Sequence, residues 1–128
     1  MRILGIDYGS KRIGIAVSDD AEQFALPVSV VTNSDVALSE IVEIAREHAV
    51  QEMVIGESRN YKGEPNSIFL DSLAFKNLLE SKGYAVYFEP EFMTSVNAER
   101  FQGKNELHDA SAAALILQSF LDKRRNSA

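Results

Sequence analysis

The sequence contains no cysteine, and it has no long apolar run. Without cysteine there are no disulfides and no thiolate metal sites, which is typical of a cytoplasmic protein. No apolar stretch approaches the roughly 20 residues that a membrane-spanning helix needs, and the N-terminus lacks the pattern of a signal peptide. We therefore expect a cytoplasmic protein with no membrane partner.

Basic residues are fewer than acidic ones. Lysine and arginine number 13 against 19 aspartates and glutamates, so the formal net charge is −6 at pH 7. This balance argues against a nucleic-acid partner, because phosphate contacts usually need a basic face. Acidic residues that hold a metal ion in a cleft would contribute to the same balance, so the charge alone does not exclude a nucleic-acid enzyme.

Five short apolar runs are predicted as strands, and the first two are joined by the turn "YGSKR", which is typical of a hairpin. The fourth run, "QEMVIG", is expected to end at Gly56. The predicted strands cover 2–7, 12–18, 25–32, 51–56 and 84–89.

Three apolar stripes recur at helical spacing. The first follows "NSD", in which we expect side chains that cap the helix. The second is expected to end at Gly83, and a short helix is also predicted at 93–101. The stripes consist of Leu38, Ile41, Val42 and Ala45, of Leu70, Leu73, Ala74 and Leu78, and of Ala110, Ala113, Ala114, Leu117 and Leu121.

The order of these elements indicates the fold class. Three adjacent strands come first, and strands then alternate with helices. This order predicts an α/β domain whose central five-stranded sheet is mixed and flanked by helices, antiparallel at one edge and parallel at the other. No repeat, low-complexity tract or linker divides the chain, so residues 1–128 are expected to form a single domain.

Asp7 is unusual because it ends the first apolar run, just before Gly9. Strand alternation places it on the same face as Ile3 and Gly5. Ligand-binding groups in open α/β sheets gather at the carboxyl ends of parallel strands, and a charge beside an apolar sheet must be hydrated, paired or bound to metal. Asp7 is therefore either a metal ligand or an acid that stabilises the turn around Gly9.

Two later acids fall at comparable positions. Glu91 follows the fifth predicted strand, and Asp109 opens the last predicted helix. Each has an ordinary explanation, since Glu91 suits a solvated loop and Asp109 suits a helix N-cap. Three carboxylates at one rim of a sheet would repel each other unless a cation neutralised them, and oxygen ligands suit Mg²⁺ or Mn²⁺.

Four segments of the sequence match a known family along nearly the whole chain. They are "ILGIDYGSKRIGIAVSD" (3–19), "VIGESRNYKG" (54–63), "EFMTSVNAER" (91–100) and "HDASAAALILQSFLD" (108–122). With these segments the chain resembles the YqgF/RuvX family of RNase H-like proteins, which are relatives of the Holliday junction resolvase RuvC. The first and last segments are long and distinctive, and the acids Asp7, Glu91 and Asp109 fall within the matches.

The resemblance implies a nuclease in which Asp7, Glu91 and Asp109 are catalytic and bind Mg²⁺ or Mn²⁺. The implied substrate is a ribosomal RNA precursor, with cleavage near the 5′ end of pre-16S rRNA. The alternative within the family is a Holliday junction resolvase that acts on branched, four-way DNA. Either a monomer or a homodimer is compatible with the sequence, and cytoplasmic ribosome biogenesis is the implied setting.

Nucleic-acid contacts are expected from the loops near the predicted site and from residues that match the family. The basic members of this set are equally well explained as ordinary solvated loop charges. The candidates are Lys11, Arg12, Arg59, Asn60, Lys62 and Thr94.

The sequence also departs from the family pattern. The glutamate is usually flanked as Asp-Glu-Arg, whereas this chain has Pro90-Glu91-Phe92, which removes a cation that could contact phosphate. Glu57-Ser58 replaces the usual Leu-Pro, so Glu57 is either a fourth acid at the site or a solvated side chain. The loop "QGKNELH" is short and carries few basic residues. These departures are expected to weaken nucleic-acid binding, and they leave the three acids in place.

Two other classes of protein share parts of this pattern. A catalytically degenerate module that binds nucleic acid or protein fits the missing arginine and the negative charge. The strand-turn-strand with aspartate and glycine also resembles the phosphate-binding hairpin of the actin and sugar-kinase ATPases. Those proteins enclose ATP between two such domains, and 128 residues supply only one.

Overall fold

The computed structural model describes residues 1–57, 67–90 and 106–126, with 106–109 described by backbone alone. The strands are β1 (Arg2–Tyr8), β2 (Arg12–Ser18), β3 (Ala25–Thr32), β4 (Val50–Glu57) and β5 (Ala85–Pro90). The helices in these segments are α1 (Ala37–Glu47), α2 (Ser67–Ser81) and α3 (Glu106–Asn126). The short helix predicted at 93–101 lies outside the described residues.

The five strands form one mixed sheet in the order β3-β2-β1-β4-β5. β2 pairs antiparallel with both β1 and β3, whereas β1, β4 and β5 run parallel. This confirms the predicted α/β fold with a five-stranded sheet that is antiparallel on one side and parallel on the other. The three parallel strands end side by side at Tyr8, Glu57 and Pro90. We call these carboxyl ends of the strands the carboxyl rim.

Helices cover both faces of the sheet because the strands alternate apolar side chains between two cores. Leu4 and Ile6 of β1 pack with residues of α1 and α2 on one face. Ile3 of β1 and Val54 of β4 pack with Leu117 of α3 on the other. Within the described segments, no helix has both the length and the apolar character needed to cross a membrane.

Helix α3 makes its closest approach to the sheet at Gly5 in the central strand. A Cβ atom built on Gly5 would lie 2.7 Å from the Cβ of Leu117 and 3.0 Å from the carbonyl oxygen of Ala113. Glycine within a strand often marks such a close approach. The predicted α3 stripe is confirmed, because Ala110, Ala113, Leu117 and Leu121 are all buried.

The predicted core face of α2 is wrong. Leu70 and Leu78 are 61% and 50% exposed, whereas Phe75 and Leu79 are buried. The helix is apolar on opposite sides, so periodicity alone identifies two stripes and does not select the one that packs. Aromatic contacts hold the observed face, since the ring centroids of Tyr8 and Phe75 are 5.1 Å apart.

Two element boundaries also differ from the prediction. α1 has Val36 at its N-cap without a side-chain cap, although the Ser34 hydroxyl accepts a 3.3 Å hydrogen bond from the Val36 N–H. β4 does not end at Gly56, because Gly56 still pairs with Glu89 of β5. The predicted end of α2 is confirmed at Gly83, whose φ of +100° suits glycine.

Gly5→Ala is expected to destabilise the fold by about 1–3 kcal/mol, because the added methyl group overpacks the contact with α3. Urea unfolding followed by circular dichroism measures this. Combining Gly5→Ala with Leu117→Ala should cost less than the sum of the two single changes, since the shortened side chain makes room. A Gly5→Ala variant as stable as the wild type would show that α3 does not press on β1.

Candidate active site

Asp7 lies at the carboxyl rim, one residue before the end of β1, and is half-buried. The neighbouring positions of β1 establish its face, because Ile3 belongs to the α3 core and Gly5 touches α3. Alternation along the strand then places Asp7 on the α3 face as well, as the sequence predicts. The central strand therefore carries an aspartate near its carboxyl end, on the face of the sheet that α3 covers.

Glycines occupy the positions beside Asp7 on both neighbouring strands. Asp7 pairs with Gly14 of β2. The parallel register pairs Ile6 with Ile55, so Gly56 of β4 follows beside Asp7 on the other side. Since glycine has no side chain, neither neighbouring strand places a side chain beside the Asp7 carboxylate on the α3 face, and both glycines are buried. The sequence analysis gave Gly14 no role, although glycine inside a strand is a recognised mark of a site that something approaches.

Helix α3 runs antiparallel to β1, so it begins near the carboxyl rim. In its last turn, Arg124 pairs with Glu52 near the start of β4. From the contact between Ala113 and Gly5, position 109 is one helical turn back, about 6 Å. Asp7 is two strand residues forward, about 7 Å in the same direction. The backbone at position 109 therefore lies at the Asp7 end of the sheet.

The interpretation of Asp109 as an N-cap is wrong. α3 begins at Glu106, which places Asp109 within the helix, one turn from its start. Leu107 and His108, which lie between Glu106 and Asp109, are helical as well. An acid in the first turn is favourable there, because the N-terminal end of a helix carries partial positive charge.

The other predicted site residues lie outside the described part of the chain. For Asp109 only the backbone is described. No cluster of three acids or histidines capable of holding a metal occurs among the residues whose side chains are described. The predicted residues outside those segments are Glu91, Arg59, Asn60, Lys62 and Thr94.

Glu57 ends β4 at the carboxyl rim, but on the other face of the sheet. Met53 and Ile55 of the same strand point into the α1 and α2 core, and alternation places Glu57 with them. Asp7 is on the α3 face. The sheet thus separates these two carboxylates, which argues against Glu57 as a ligand shared with Asp7.

A buried acid that the sequence analysis missed is Glu89, near the end of β5. Its side chain is only 5% exposed, and its Oε2 accepts hydrogen bonds from Lys123 Nζ at 2.6 Å and Ser119 Oγ at 2.8 Å. Both partners are on α3, one turn apart. A buried carboxylate requires such partners, so this pair ties the end of β5 to the helix. No local pattern in the sequence indicates this contact, because Glu89 and Lys123 are 34 residues apart.

Most of the cations in the described segments are held by acids. The ion pairs join Arg2 to Asp20, Arg46 to Glu43, Lys76 to Glu80, Lys123 to Glu89, Arg124 to Glu52 and Glu22, and Arg125 to Asp122. Lys11 is exposed on the turn between β1 and β2, and Arg12 begins β2. The two predicted nucleic-acid contacts that are described therefore lie close to Asp7 in the chain.

The Glu52–Arg124 pair fastens the far end of α3. The two guanidinium nitrogens of Arg124 donate to the two carboxylate oxygens at 3.0 and 3.1 Å. These hydrogen bonds lower the pKa of Glu52 below its ordinary value of 4.5 and raise the pKa of Arg124. The guanidinium carbon also lies 4.7 Å from the ring centroid of Phe120, which stacks on Tyr87.

The described part of the site fits a divalent metal. Asp7 supplies a carboxylate, the hard oxygen ligand that Mg²⁺ and Mn²⁺ prefer. Gly14 and Gly56 place no side chain beside it.

Solved structures with the same architecture are nucleases of branched DNA. RuvC of Thermus thermophilus superposes with a TM-score of 0.58 at 16% identity, over 98% of this chain and 97% of that one. The fowlpox virus resolvase in complex with Holliday junction DNA superposes with a TM-score of 0.61 at 11% identity, over 97% and 99%. At these identities the likeness concerns the fold alone, and it defines the class of fold: the chain has an RNase H-like fold.

Sequence comparison gives the family within that class. A protein of Caldanaerobacter subterraneus subsp. tengcongensis is 32% identical over 99% of this chain and 100% of its own length. One of Nocardia farcinica is 34% identical over 96% of this chain and 78% of its own length. Both carry the name "Putative pre-16S rRNA nuclease". Residues 1–123 match the profile described as "RuvX: Holliday junction resolvase", and the chain belongs to the RuvX family.

Replacing Arg124 by methionine is expected to reduce the acid sensitivity of the fold. Because the pKa of Glu52 is lowered in the folded state, its stabilising contribution is complete above the ordinary pKa and is lost as the pH falls through the folded value. The melting temperature of the wild type should therefore exceed that of Arg124→Met at neutral pH, and the difference should shrink between about pH 5 and pH 3.

Arg46→Met is the matched control, because the Arg46–Glu43 pair is exposed on one helix and contributes little. Its melting curve should follow that of the wild type across the same pH range. A constant difference between the wild type and Arg124→Met at every pH would show that packing on Phe120, and not the charge pair, is what Arg124 contributes.

Proposed function

We propose that this chain is a divalent-metal-dependent nuclease that acts on precursor ribosomal RNA, in the maturation of the 5′ end of 16S rRNA. Its broad class, a hydrolase of phosphodiester bonds, follows from membership of the RuvX family. The metal, the substrate and the roles of individual residues are the proposal. A cytoplasmic protein suits both this role and the absence of cysteine.

The observation that carries the proposal is the setting of Asp7. It is a half-buried carboxylate on the central strand, flanked by glycines and facing the side of the sheet where α3 begins. An aspartate that only stabilised a turn would not need glycine on both neighbouring strands. The lack of side chains at Gly14 and Gly56 suits an Asp7 carboxylate that binds a metal ion on the α3 face.

In the proposed site, Asp7, Glu91 and Asp109 hold the metal. A bound divalent cation supplies activation of water and stabilisation of negative charge on the phosphate under attack. Asp7 would be the central ligand because β1 lies in the middle of the sheet. Glu91 follows β5 directly in the sequence, and Glu89 near the end of that strand contacts α3. These arguments support a site assembled on the α3 face.

The substrate proposal follows from the relatives. The similar proteins named for pre-16S rRNA match this chain over nearly its full length. The second candidate substrate is four-way DNA, which the family description favours and which is bound in one of the solved structures. Lys11 and Arg12 on the hairpin, with Arg59, Asn60, Lys62 and Thr94 from other segments, are the proposed contacts to the nucleic-acid backbone.

Asp7→Asn is expected to reduce metal-dependent cleavage by at least about a hundredfold, because the neutral amide is a poor metal ligand. Labelled single-stranded RNA, a pre-16S rRNA fragment and a four-way DNA junction, each with Mg²⁺ or Mn²⁺, test this. Mn²⁺ binding measured by calorimetry should weaken in the same variant. Faster cleavage of the rRNA fragment than of the junction supports the proposed substrate, and the reverse order supports the alternative.

The matched control is Asp35→Asn, the same chemical change at an exposed aspartate before α1. It should cleave as the wild type does. Equal cleavage by Asp7→Asn and the wild type would contradict the proposed site. If the folded wild type binds nucleic acid but cuts none of the three substrates, the chain is a binding module that has lost catalysis.

Lys11→Ala is expected to weaken binding of single-stranded RNA. It should also lower the slope of log Kd against log salt concentration by about 1, which corresponds to the loss of one phosphate contact. Fluorescence anisotropy at several salt concentrations measures both. Lys82→Ala is the control. Lys82 is also exposed, but it precedes the amino end of β5 and so lies at the opposite end of the parallel strands from the carboxyl rim. An equal loss in both variants would indicate an effect of total charge and not of a contact at the site.

A further inference from the structure

One residue at the end of β3 holds the turn that follows Asp7. The side-chain amide of Asn33 donates a 2.8 Å hydrogen bond from Nδ2 to the carbonyl oxygen of Gly9. The backbone N–H of Asn33 donates at 2.9 Å to the carbonyl oxygen of Lys11. Asn33 thus contacts two positions of the turn that joins β1 to β2, from a strand that is two places away from β1 in the sheet.

The turn itself is closed tightly. A Cβ atom on Gly9 would lie 2.6 Å from the carbonyl oxygen of Arg12, so only glycine fits the observed backbone. Two hydrogen bonds from Asn33 are added to this restraint. The amide of Asn33 is also committed here, which is consistent with the absence of a side-chain cap on α1.

The turn carries an exposed cation into the neighbourhood of the proposed site. Lys11 is four residues after Asp7, and within the described segments its ammonium group makes no ion pair. Six other basic side chains in those segments are paired with acids. On a chain with a net charge of −6, a lysine at the carboxyl rim that makes no ion pair with any described residue is well placed to attract phosphate.

We propose that Asn33 is a positioning residue for nucleic-acid binding: it fixes the 9–12 turn so that Lys11 is held beside Asp7 for a phosphate of the substrate backbone. This inference rests on the proposed function. The physical gain is preorganisation, because a turn already held in its bound conformation loses less entropy when the substrate binds. Asp7 is held independently by the pairing of β1 with β2 and β4.

A purely structural role for Asn33 predicts different behaviour. Loss of its hydrogen bonds would then lower stability and activity whatever residue occupied position 11. A positioning role requires that the effect on substrate binding depend on Lys11. It also requires that the loss fall on KM and leave kcat nearly unchanged, because the acid at the end of β1 stays in place.

The experiment is a double-mutant cycle on the full chain with Asn33→Ala, Lys11→Ala and both together. KM and kcat are measured on a labelled single-stranded RNA, and Kd for the same RNA is measured in the Asp7→Asn background. Asn33→Ala should raise KM by about three- to tenfold, the range expected for the one side-chain hydrogen bond that is lost, with kcat within about twofold. The double variant should bind as Lys11→Ala alone does.

Ser34→Ala is the control, because Ser34 is adjacent in sequence but its hydroxyl serves the start of α1 and not the turn. It should leave KM unchanged. If Asn33→Ala does not fold, Asn33→Ser replaces it in the cycle, since the hydroxyl keeps a polar side chain at this position but is too short to reach the Gly9 carbonyl oxygen.

The outcomes separate the two proposals. If the wild type cleaves the RNA and the effects of Asn33→Ala and Lys11→Ala on KM are independent, the role of Asn33 is overturned. The proposed function then stays intact. Wild type that neither binds nor cleaves the RNA, the rRNA fragment or the four-way junction overturns both. A loss of kcat without a change of KM in Asn33→Ala also overturns the positioning role.

Discussion

The contact between α3 and the central strand at Gly5 is the constraint on which the candidate site depends. Because Gly5 has no side chain, the backbone of α3 at Ala113 lies directly against β1. The antiparallel direction of the helix then brings its first turn to the end of the sheet where Asp7 lies. A larger residue at position 5 would lift the helix away from the strand, and the start of α3 would move relative to Asp7. Packing in the core therefore controls the geometry of the rim.

Polar contacts join α3 to both edge strands of the sheet, β3 and β5. The side-chain oxygen of Gln118 accepts a hydrogen bond from the Ala25 N–H at the start of β3. On the other side, Lys123 binds the buried Glu89 of β5 and Arg124 binds Glu52 of β4. These cations stabilise the fold and are not available to a phosphate. Among the described residues, Lys11, the cation proposed to contact the substrate, is not one of those that hold α3.

Several features could be predicted from the sequence because they depend on local patterns. Alternation and turn residues predicted the five strands, and a stripe of small and apolar residues predicted the buried face of α3. The same reasoning failed for α2, whose two opposite faces are both apolar, so that the packing of Phe75 decided between them. It also missed Glu89, because its partner Lys123 is 34 residues away and only the fold joins them.

The sequence by itself determined the class of fold, the family and the position of Asp7 at the end of an apolar strand and on a defined face. These follow from the order of residues along one segment or from matches along the chain. Only the tertiary structure decided that Gly14 and Gly56 flank Asp7, that Glu57 lies on the opposite face from it, and that Asn33 holds the turn at Gly9. Each of these depends on which strands are neighbours and in what register they pair. Periodicity within one segment contains no information about its neighbour across the sheet, so these relations arise only when the whole chain folds.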